Sequence, residues 1–243
     1  LCGGAAEHRR GWVEERLGFI ASRFCCEIAA YSIMSNHLHI VARMDPRRAQ
    51  DLSPQEVAER WLTLYPSDYH RDGSPKPPTP DHVARLAANA GRLAVCRQRL
   101  CDVGWFMKAI KEPLARRANR EDKCSGTFWQ GRFHSTPLLD QAALVACMVY
   151  VDLNPVRAAI CERPEDSTHT SIRSRCRQLA MAGAEVRLEH PKAGSQPHVP
   201  GPTLAPTEAC IAGAGQGEVG ISLANYVALV DATGRIVRNG KRG

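Results

Sequence analysis

Two histidines separated by a single residue are the sharpest chemical feature of the sequence. They form His37-Leu38-His39, within a run rich in Ile, Val and Tyr. Side chains alternate along a β-strand, so residues i and i+2 project from the same face. Two imidazoles would then point together, as ligands of a divalent metal do. The alternative is that both histidines only satisfy local hydrogen bonds; the apolar Leu38 between them favours a half-buried strand and a metal site.

A second pair of polar groups lies near the end of a predicted helix. Tyr150 and Asn154 are four residues apart, so one helical turn would place the hydroxyl and the amide on the same face. The alternative is that both residues are structural: Tyr150 would be a core tyrosine, and Asn154 would cap the helix that begins at Pro155. The residues alone favour this second interpretation.

Basic and aromatic residues are concentrated between these two motifs. Cations bind the phosphates of nucleic acids and aromatic rings stack on bases, so the stretch suits a nucleic-acid surface; a solvated charged face is the alternative. Its members are Arg116, Arg117, Arg120, Lys123, Trp129, Arg132, Phe133 and His134. The whole chain has 32 Lys plus Arg against 25 Asp plus Glu, a formal charge of +7, which favours a polyanionic partner.

The overall composition is that of a globular protein. A chain of 243 residues with 44% hydrophobic and 23% charged residues excludes wholesale disorder, a collagen-like repeat and a coiled coil. No apolar run reaches the roughly 20 residues of a membrane helix and no signal peptide is visible, so we expect a cytoplasmic protein with no membrane partner. The ten cysteines include no Cys-x-x-Cys pair, which predicts mostly buried free thiols.

The hydrophobic pattern in the first part of the chain predicts strands around the histidines. An amphipathic helix is predicted over residues 7–24 and strands over 26–33 and 37–43. Residues 45–94 are predicted to be an insertion or lid, with one short helix capped by Ser53 and a proline-rich irregular stretch.

The second part of the chain is predicted to be mainly helical. A helix over 103–119 should be bent or interrupted at Pro113, and 125–139 should form a loop with a short strand. After the cap Asp140 a further helix should run to Pro155, where Asn154 would cap a new helix.

The composition divides the chain into a main domain and a tail. We predict a domain over 1–177 that includes the insertion, a Gly/Pro-rich linker over 178–220, and a short C-terminal segment over 221–243. Within the linker, residues 185–220 are predicted to be poorly ordered.

Taken together, three motifs resemble those of the single-tyrosine transposases of the HUH endonuclease superfamily, in particular the REP-associated tyrosine transposases. The motifs are SNHLHIV, FWQGRF and YVDLNPVRAAI, in that order. The likeness covers most of residues 7–175, and the closing run NYVALVDATGRIVRNGKRG is similar to the C-terminal segment of some members.

The resemblance implies an α+β fold and a role for each motif. The fold would be a ferredoxin-like antiparallel sheet with packed helices, the histidines lying on an inner strand that faces the tyrosine helix. His37, His39 and Asn154 would hold Mg²⁺ or Mn²⁺, and Tyr150 would be the nucleophile.

The activity that the resemblance implies is metal-dependent cleavage and rejoining of single-stranded or hairpin DNA through a 5′-phosphotyrosine intermediate. A cation would polarise the scissile phosphate. We expect a monomer, with a dimer as the alternative. The DNA-contacting residues would be Arg116, Arg117, Arg120, Lys123, Arg132 and His134.

Two other functions fit the same residues. Such transposases usually begin with a strand before the first helix, whereas this sequence starts Leu1-Cys2-Gly3-Gly4. A missing first strand would expose a sheet edge, and the protein would then be an inactive, truncated DNA-binding relic. The other is an unrelated metallohydrolase that uses His37 and His39 but does not need Tyr150.

Overall fold

The computed structural model describes residues 7–182, 201–207 and 221–240. A short 3₁₀ turn covers Pro164–Asp166. In chain order the elements are α1 (Glu7–Ala21), β1 (Cys26–Ile33), β2 (Leu38–Met44), α2 (Pro46–Asp51), α3 (Pro54–Leu64), α4 (Pro80–Ala88), α5 (Ala90–Arg99), α6 (Val103–Glu121), α7 (Gln141–Asp152), α8 (Asn154–Arg157), α9 (Ser171–Met181) and α10 (Leu223–Gly240).

The chain forms two compact units. We call the first the sheet unit; it contains the described residues of Leu1–Glu15, Ile28–Ala42 and His134–Gly243. The second, the helical unit, contains Arg16–Glu27 and Arg43–Phe133.

An antiparallel pair of strands, β1 and β2, carries the two histidines. The pair is closed by a two-residue turn at Ser35 and Asn36, across which the Met34 N–H donates to the His37 carbonyl at 2.9 Å. A tight turn of this length fixes the register of the two strands. The predicted strands are confirmed, each to within one residue.

The other edge of β1 is covered by irregular segments rather than by a third strand. Ile28 forms a parallel bridge with Leu204, and Ser32 an antiparallel bridge with Thr170. Among the described residues β2 pairs with β1 alone, in a two-stranded sheet. The α+β class is therefore confirmed, and the inner position that the resemblance implied for the histidine strand remains a prediction.

A single apolar core joins this strand pair to the helices of the sheet unit. Ala29 and Ala30 of β1 and Val41 of β2 lie in one buried cluster with Met148 and Val151 of α7. Helix α10 packs against α7, α8 and α9, and its Tyr226, Val227 and Val230 enter the same cluster. The predicted C-terminal segment therefore contains a core helix.

Part of the predicted linker is packed against β1. Leu204 and Ala205 are buried, and the Ala205 N–H donates to the Ile28 carbonyl at 2.9 Å. A Cβ at Gly201 would lie 2.8 Å from the Tyr31 hydroxyl oxygen, so only glycine permits this approach. The other residues that were predicted to be poorly ordered, 185–200 and 208–220, lie outside the described residues.

A buried carboxylate connects three helices of the sheet unit. Asp152, at the end of α7, is fully buried. Its Oδ1 accepts hydrogen bonds from the Ser171 hydroxyl and from the Ile172 N–H, and its Oδ2 accepts from the Tyr226 hydroxyl at 2.6 Å. Because Ser171 and Ile172 begin α9, the positive end of that helix also faces the carboxylate.

The same network reaches β1 through two further groups. The Tyr31 N–H donates to Ser171 Oγ at 2.9 Å. Arg175, only 1% exposed, donates from Nη2 to the carbonyls of Ala29 at 2.6 Å and Ala205 at 3.3 Å. Its charge favours ionised Asp152. Strand β1 and the end of α7 are thus tied to the same residues of α9.

The helical unit consists of α2 to α6 with the adjoining ends of α1, β1 and β2. The Ser53 side chain and Glu56 form a capping box at the start of α3, which confirms the predicted helix and its cap. Residues 65–79 are irregular, as predicted. Helices α2, α4 and α5 were not predicted; the side chains of Asp45, Thr79 and Asn89 cap them.

Helix α6 is not interrupted at Pro113 and continues to Glu121; the alternative, a bend at the proline, remains a prediction. Proline lacks the N–H that would bond to the carbonyl four residues earlier. That carbonyl, of Ala109, accepts a hydrogen bond of 2.9 Å from Arg16 Nε. The substitute donor removes much of the cost of a proline within the helix.

Two other local predictions were wrong. The structure has no strand within residues 125–139. Helix α7 begins after Asp140, whose carboxylate accepts from the Ala143 N–H at 2.7 Å, and ends at Asp152 as the proline requires. However, Asn154 is the first residue of α8, and Leu153 occupies the cap position.

The cysteines were predicted to be mostly buried free thiols, and four of the eight described ones, Cys25, Cys26, Cys96 and Cys176, are buried. All eight cysteines among the described residues are free thiols. Within residues 7–182, 201–207 and 221–240, every helix is too short or too polar to cross a bilayer.

Replacing Asp152 by asparagine tests the buried network through the pH dependence of stability. Burial raises the pKa of Asp152 to about 6. The folded protein then binds this proton more tightly than the unfolded chain does, so the contribution to the free energy of unfolding is present at low pH and is lost as pH rises through about 6. The stability of the wild type minus that of Asp152→Asn should fall by about 1 kcal/mol between about pH 5 and about pH 7 in urea unfolding. A constant or rising difference would contradict this assignment.

Candidate functional site

The two histidine rings lie together at the start of β2. Their ring centroids are 4.9 Å apart, with an angle of 78° between the ring planes. His37 immediately precedes the strand and is exposed, whereas His39 lies within it and is half-buried. The prediction that both imidazoles project from the same face is thus confirmed.

The turn that joins the strands also orients the first histidine. His37 Nδ1 is 2.7 Å from Asn36 Oδ1. An amide oxygen can only accept, so Nδ1 carries the hydrogen and the lone pair is at Nε2. Metal-binding histidines are commonly oriented in this way by a hydrogen bond from the other ring nitrogen.

The environment of His39 favours the neutral ring. Burial, and then the nearby charge of His37, lower the pKa of His39 below its ordinary value. A neutral imidazole has a free lone pair, whereas a protonated one cannot bind a cation. His39 is therefore ready to act as a ligand at neutral pH.

Tyr150 lies on α7 beside the second histidine. Its ring centroid is 6.0 Å from that of His39, and its side chain is 47% exposed. Exposure of this tyrosine contradicts the reading that it is a core residue, since Tyr31 and Tyr226 in the same unit are fully buried. The hydroxyl-bearing side chain is accessible to a large substrate.

Arg157 is a site residue that the sequence reasoning missed. Its guanidinium carbon lies 5.0 Å from the centroid of the Tyr150 ring. A cation over an aromatic face is attracted by the ring, and it would also favour a negatively charged group bound nearby. The signal was its place in the Asn-Pro-Val-Arg run, three residues after Asn154.

The position of Asn154 differs from that of a residue on the same continuous helix. The chain leaves α7 at Asp152 and enters α8 at Asn154, so the one-turn argument does not fix where the amide lies relative to Tyr150. Asn154 is buried, with 8% exposure. Its role as a metal-facing group remains a prediction.

The chemistry of the donor set is compatible with a divalent cation. Among the described residues, no three His, Cys, Asp or Glu side chains cluster as a metal site. Two imidazoles therefore need further oxygen ligands, from an amide such as that of Asn154, from water or from a substrate phosphate. Imidazole nitrogens suit transition ions and oxygen ligands suit Mg²⁺ and Mn²⁺, so the mixed donor set fits a divalent cation.

The predicted DNA-contacting residues fall in both units. His134 belongs to the sheet unit and the other five belong to the helical unit. Exposed positions of α6 are occupied by Arg116, Arg117 and Arg120, and Lys123 follows that helix. Arg116 forms an ion pair with Glu112. Arg132 is exposed in the loop after α6. Their contact with DNA remains a prediction.

Comparison of the chain with protein-family models, with curated proteins and with solved structures found no match. The resemblance to the single-tyrosine transposases therefore depends on the motifs and on the grouping of His37, His39 and Tyr150.

Chemical modification tests the exposure of Tyr150. Acetylation by N-acetylimidazole requires an accessible phenol, so Tyr150 and the equally exposed Tyr69, at 53%, should react first. Tyr31 and Tyr226 should react only after unfolding, because both are fully buried. Peptide mass spectrometry after limited reaction measures each site. Protection of Tyr150 to the degree seen for Tyr226 would show that its side chain is not accessible.

Proposed function

We propose that this protein is a DNA-nicking and strand-transfer enzyme of the single-tyrosine transposase type. The observation that carries the proposal is the placement of an exposed tyrosine ring 6.0 Å from the second of two adjacent histidine rings. A paired imidazole site beside a phenol provides the two groups that this chemistry needs, a cation site and a nucleophile.

His37 and His39 would hold the cation, with Asn154 as a further ligand. When bound, a divalent ion polarises the scissile phosphate and stabilises the charge that develops on its oxygens.

Tyr150 would act on the phosphate held at this site. Its hydroxyl oxygen attacks phosphorus and loses its proton, the bond from phosphorus to the 3′-oxygen breaks, and the released 3′-oxygen takes up a proton. The product is a 5′-phosphotyrosine and a free 3′-hydroxyl. Attack by a 3′-hydroxyl on the phosphotyrosine reverses the step, so strands can be rejoined without an external energy source.

The charge distribution supports single-stranded or hairpin DNA as the substrate. The formal charge is +7, and the exposed end of α6 carries Arg116, Arg117 and Arg120. Phosphate contacts by such residues position a strand without reading its sequence. A fold of the ferredoxin-like class, a monomeric state and a cytoplasmic location complete the proposal.

Trapping of the covalent adduct tests the proposed nucleophile. The protein is incubated with end-labelled DNA that combines a hairpin and single-stranded flanks, with Mn²⁺ or Mg²⁺, and resolved on a denaturing gel. The wild type should give a protein-linked band, and Tyr150→Phe should give none because it lacks the attacking oxygen. Tyr69→Phe removes the hydroxyl of an exposed tyrosine in the helical unit and should retain the band.

The same gel separates the alternatives. An adduct that survives in Tyr150→Phe would refute the assigned nucleophile. Binding without cleavage in any cation would indicate an inactive DNA-binding protein. Hydrolysis that needs His37 and His39 but proceeds without Tyr150 would indicate a metallohydrolase.

Removal of one charge from α6 tests the proposed DNA surface. Arg120→Gln should reduce the slope of log affinity against log salt by about 0.7, the value for one phosphate contact to a single strand. Arg235→Gln is the matched control, because Arg235 is an exposed arginine on α10 paired with Asp231. Fluorescence anisotropy with labelled single-stranded DNA measures both slopes. Equal slopes for Arg120→Gln and the wild type would exclude this contact.

A further inference from the structure

The helical unit contains a second candidate site, an open cleft of about 560 Å³ between α6 and the loop that follows it. One wall is a single face of the helix, formed by Gly104, Met107, Lys108, Lys111 and Ala115. The other wall is the loop over residues 126–133. The volume lies within the range of about 300 to 1,000 Å³ that is typical of small-ligand sites.

Three hydrogen bonds fix the loop against the helix. Trp129 Nε1 donates to the Lys111 carbonyl at 2.9 Å, and Lys111 Nζ donates to the Gly131 carbonyl at 2.6 Å. Asn119 Nδ2 donates to the Gly126 carbonyl at 2.9 Å. The cleft is therefore preformed, which lowers the entropic cost of binding.

The loop presents aromatic rings at the cleft. Phe128, Trp129 and Phe133 all line it and are half-buried. The Trp129 ring and the Phe128 ring meet edge to face, with centroids 5.1 Å apart. Because the indole N–H is already bonded to the helix, Trp129 offers a ligand its apolar ring surface.

The charged groups at the cleft are all cationic. Lys108, Lys111 and Arg132 line it, and none of its lining residues is acidic. Lys111 lies 5.4 Å from the centroid of the Trp129 ring. A flat aromatic ligand that carries negative charge matches this combination of rings and cations.

We propose that this cleft holds one unpaired base of single-stranded nucleic acid, together with its adjacent phosphate. The base would stack on the aromatic rings of the loop, and the phosphate would contact the cations. Lys108 lies 4.7 Å from the centroid of the Trp105 ring and Lys111 is bonded to the Gly131 carbonyl, but both keep their charge. A purely apolar ligand would not use this charge, and a protein segment would gain little from it unless it were acidic. This subsite rests on the proposed DNA substrate but not on cleavage by Tyr150.

Two oligonucleotide probes with the same backbone charge, one with bases and one without, test this subsite. The first probe is a labelled oligothymidylate of about 20 nucleotides, and the second is an abasic oligomer of the same length. Full-length Tyr150→Phe protein without added metal is used as the parent, so that no cleavage occurs. Adding Trp129→Ala or Phe128→Ala should weaken oligothymidylate binding about tenfold and leave abasic binding unchanged.

Tyr69→Ala is the matched control, since it removes an exposed aromatic ring of the same unit that does not line the cleft, and it should bind both probes as the parent does. Thermal unfolding identifies any variant that fails to fold. Because Phe128→Ala leaves the indole hydrogen bond in place, it tests the cleft even if Trp129→Ala is unstable. An oligouridylate arm identifies whether RNA or DNA is preferred.

The outcomes separate this subsite from the proposed function. Unchanged oligothymidylate binding in Phe128→Ala, or an equal loss with the abasic backbone, would overturn the base subsite. A base-dependent loss without any covalent adduct in the wild type would retain the subsite and refute the nuclease. A covalent adduct in the wild type, together with no base-dependent loss of binding, would support the nuclease and refute the subsite.

Discussion

The arrangement of the sheet unit depends on the buried carboxylate of Asp152. A charged group without water is unfavourable unless hydrogen bonds and an opposite charge compensate it. Here Ser171, Ile172 and Tyr226 provide the hydrogen bonds, and Arg175 provides the charge. These partners lie on α9 and α10. The end of α7 is therefore held in a single position, and this requires that both of those helices are in place.

This constraint also determines the position of the candidate site. Tyr150 precedes Asp152 by two residues on α7, while Ser171 and Arg175 hold β1 through the Tyr31 N–H and the Ala29 carbonyl. Strand β2, with the paired histidines, is hydrogen-bonded to β1. Helix α7 and strand β1, which pairs with the histidine strand, are thus both hydrogen-bonded to the first residues of α9. These shared contacts explain how an exposed phenol is held beside two imidazoles.

Local patterns predicted the site better than they predicted the fold around it. Strand alternation was sufficient to place His37 beside His39, and residue types indicated the polar caps Ser53 and Asp140. Contacts between segments far apart in the chain could not be predicted from local sequence patterns. The donor that replaces the missing N–H of Pro113 comes from Arg16, and the packing of residues 201–207 on β1 involves segments far apart in the chain, so neither leaves a local signal.

The central claim is that His37 and His39 form a cation site facing Tyr150. An anomalous difference map from crystals soaked in Mn²⁺ tests it most directly, because the ion is located independently of any activity. If the pair binds the ion, the map should show a peak bonded to Nε2 of His37 and to a ring nitrogen of His39, on the side of Tyr150. A peak at other residues, or an unoccupied histidine pair at saturating Mn²⁺, would contradict it.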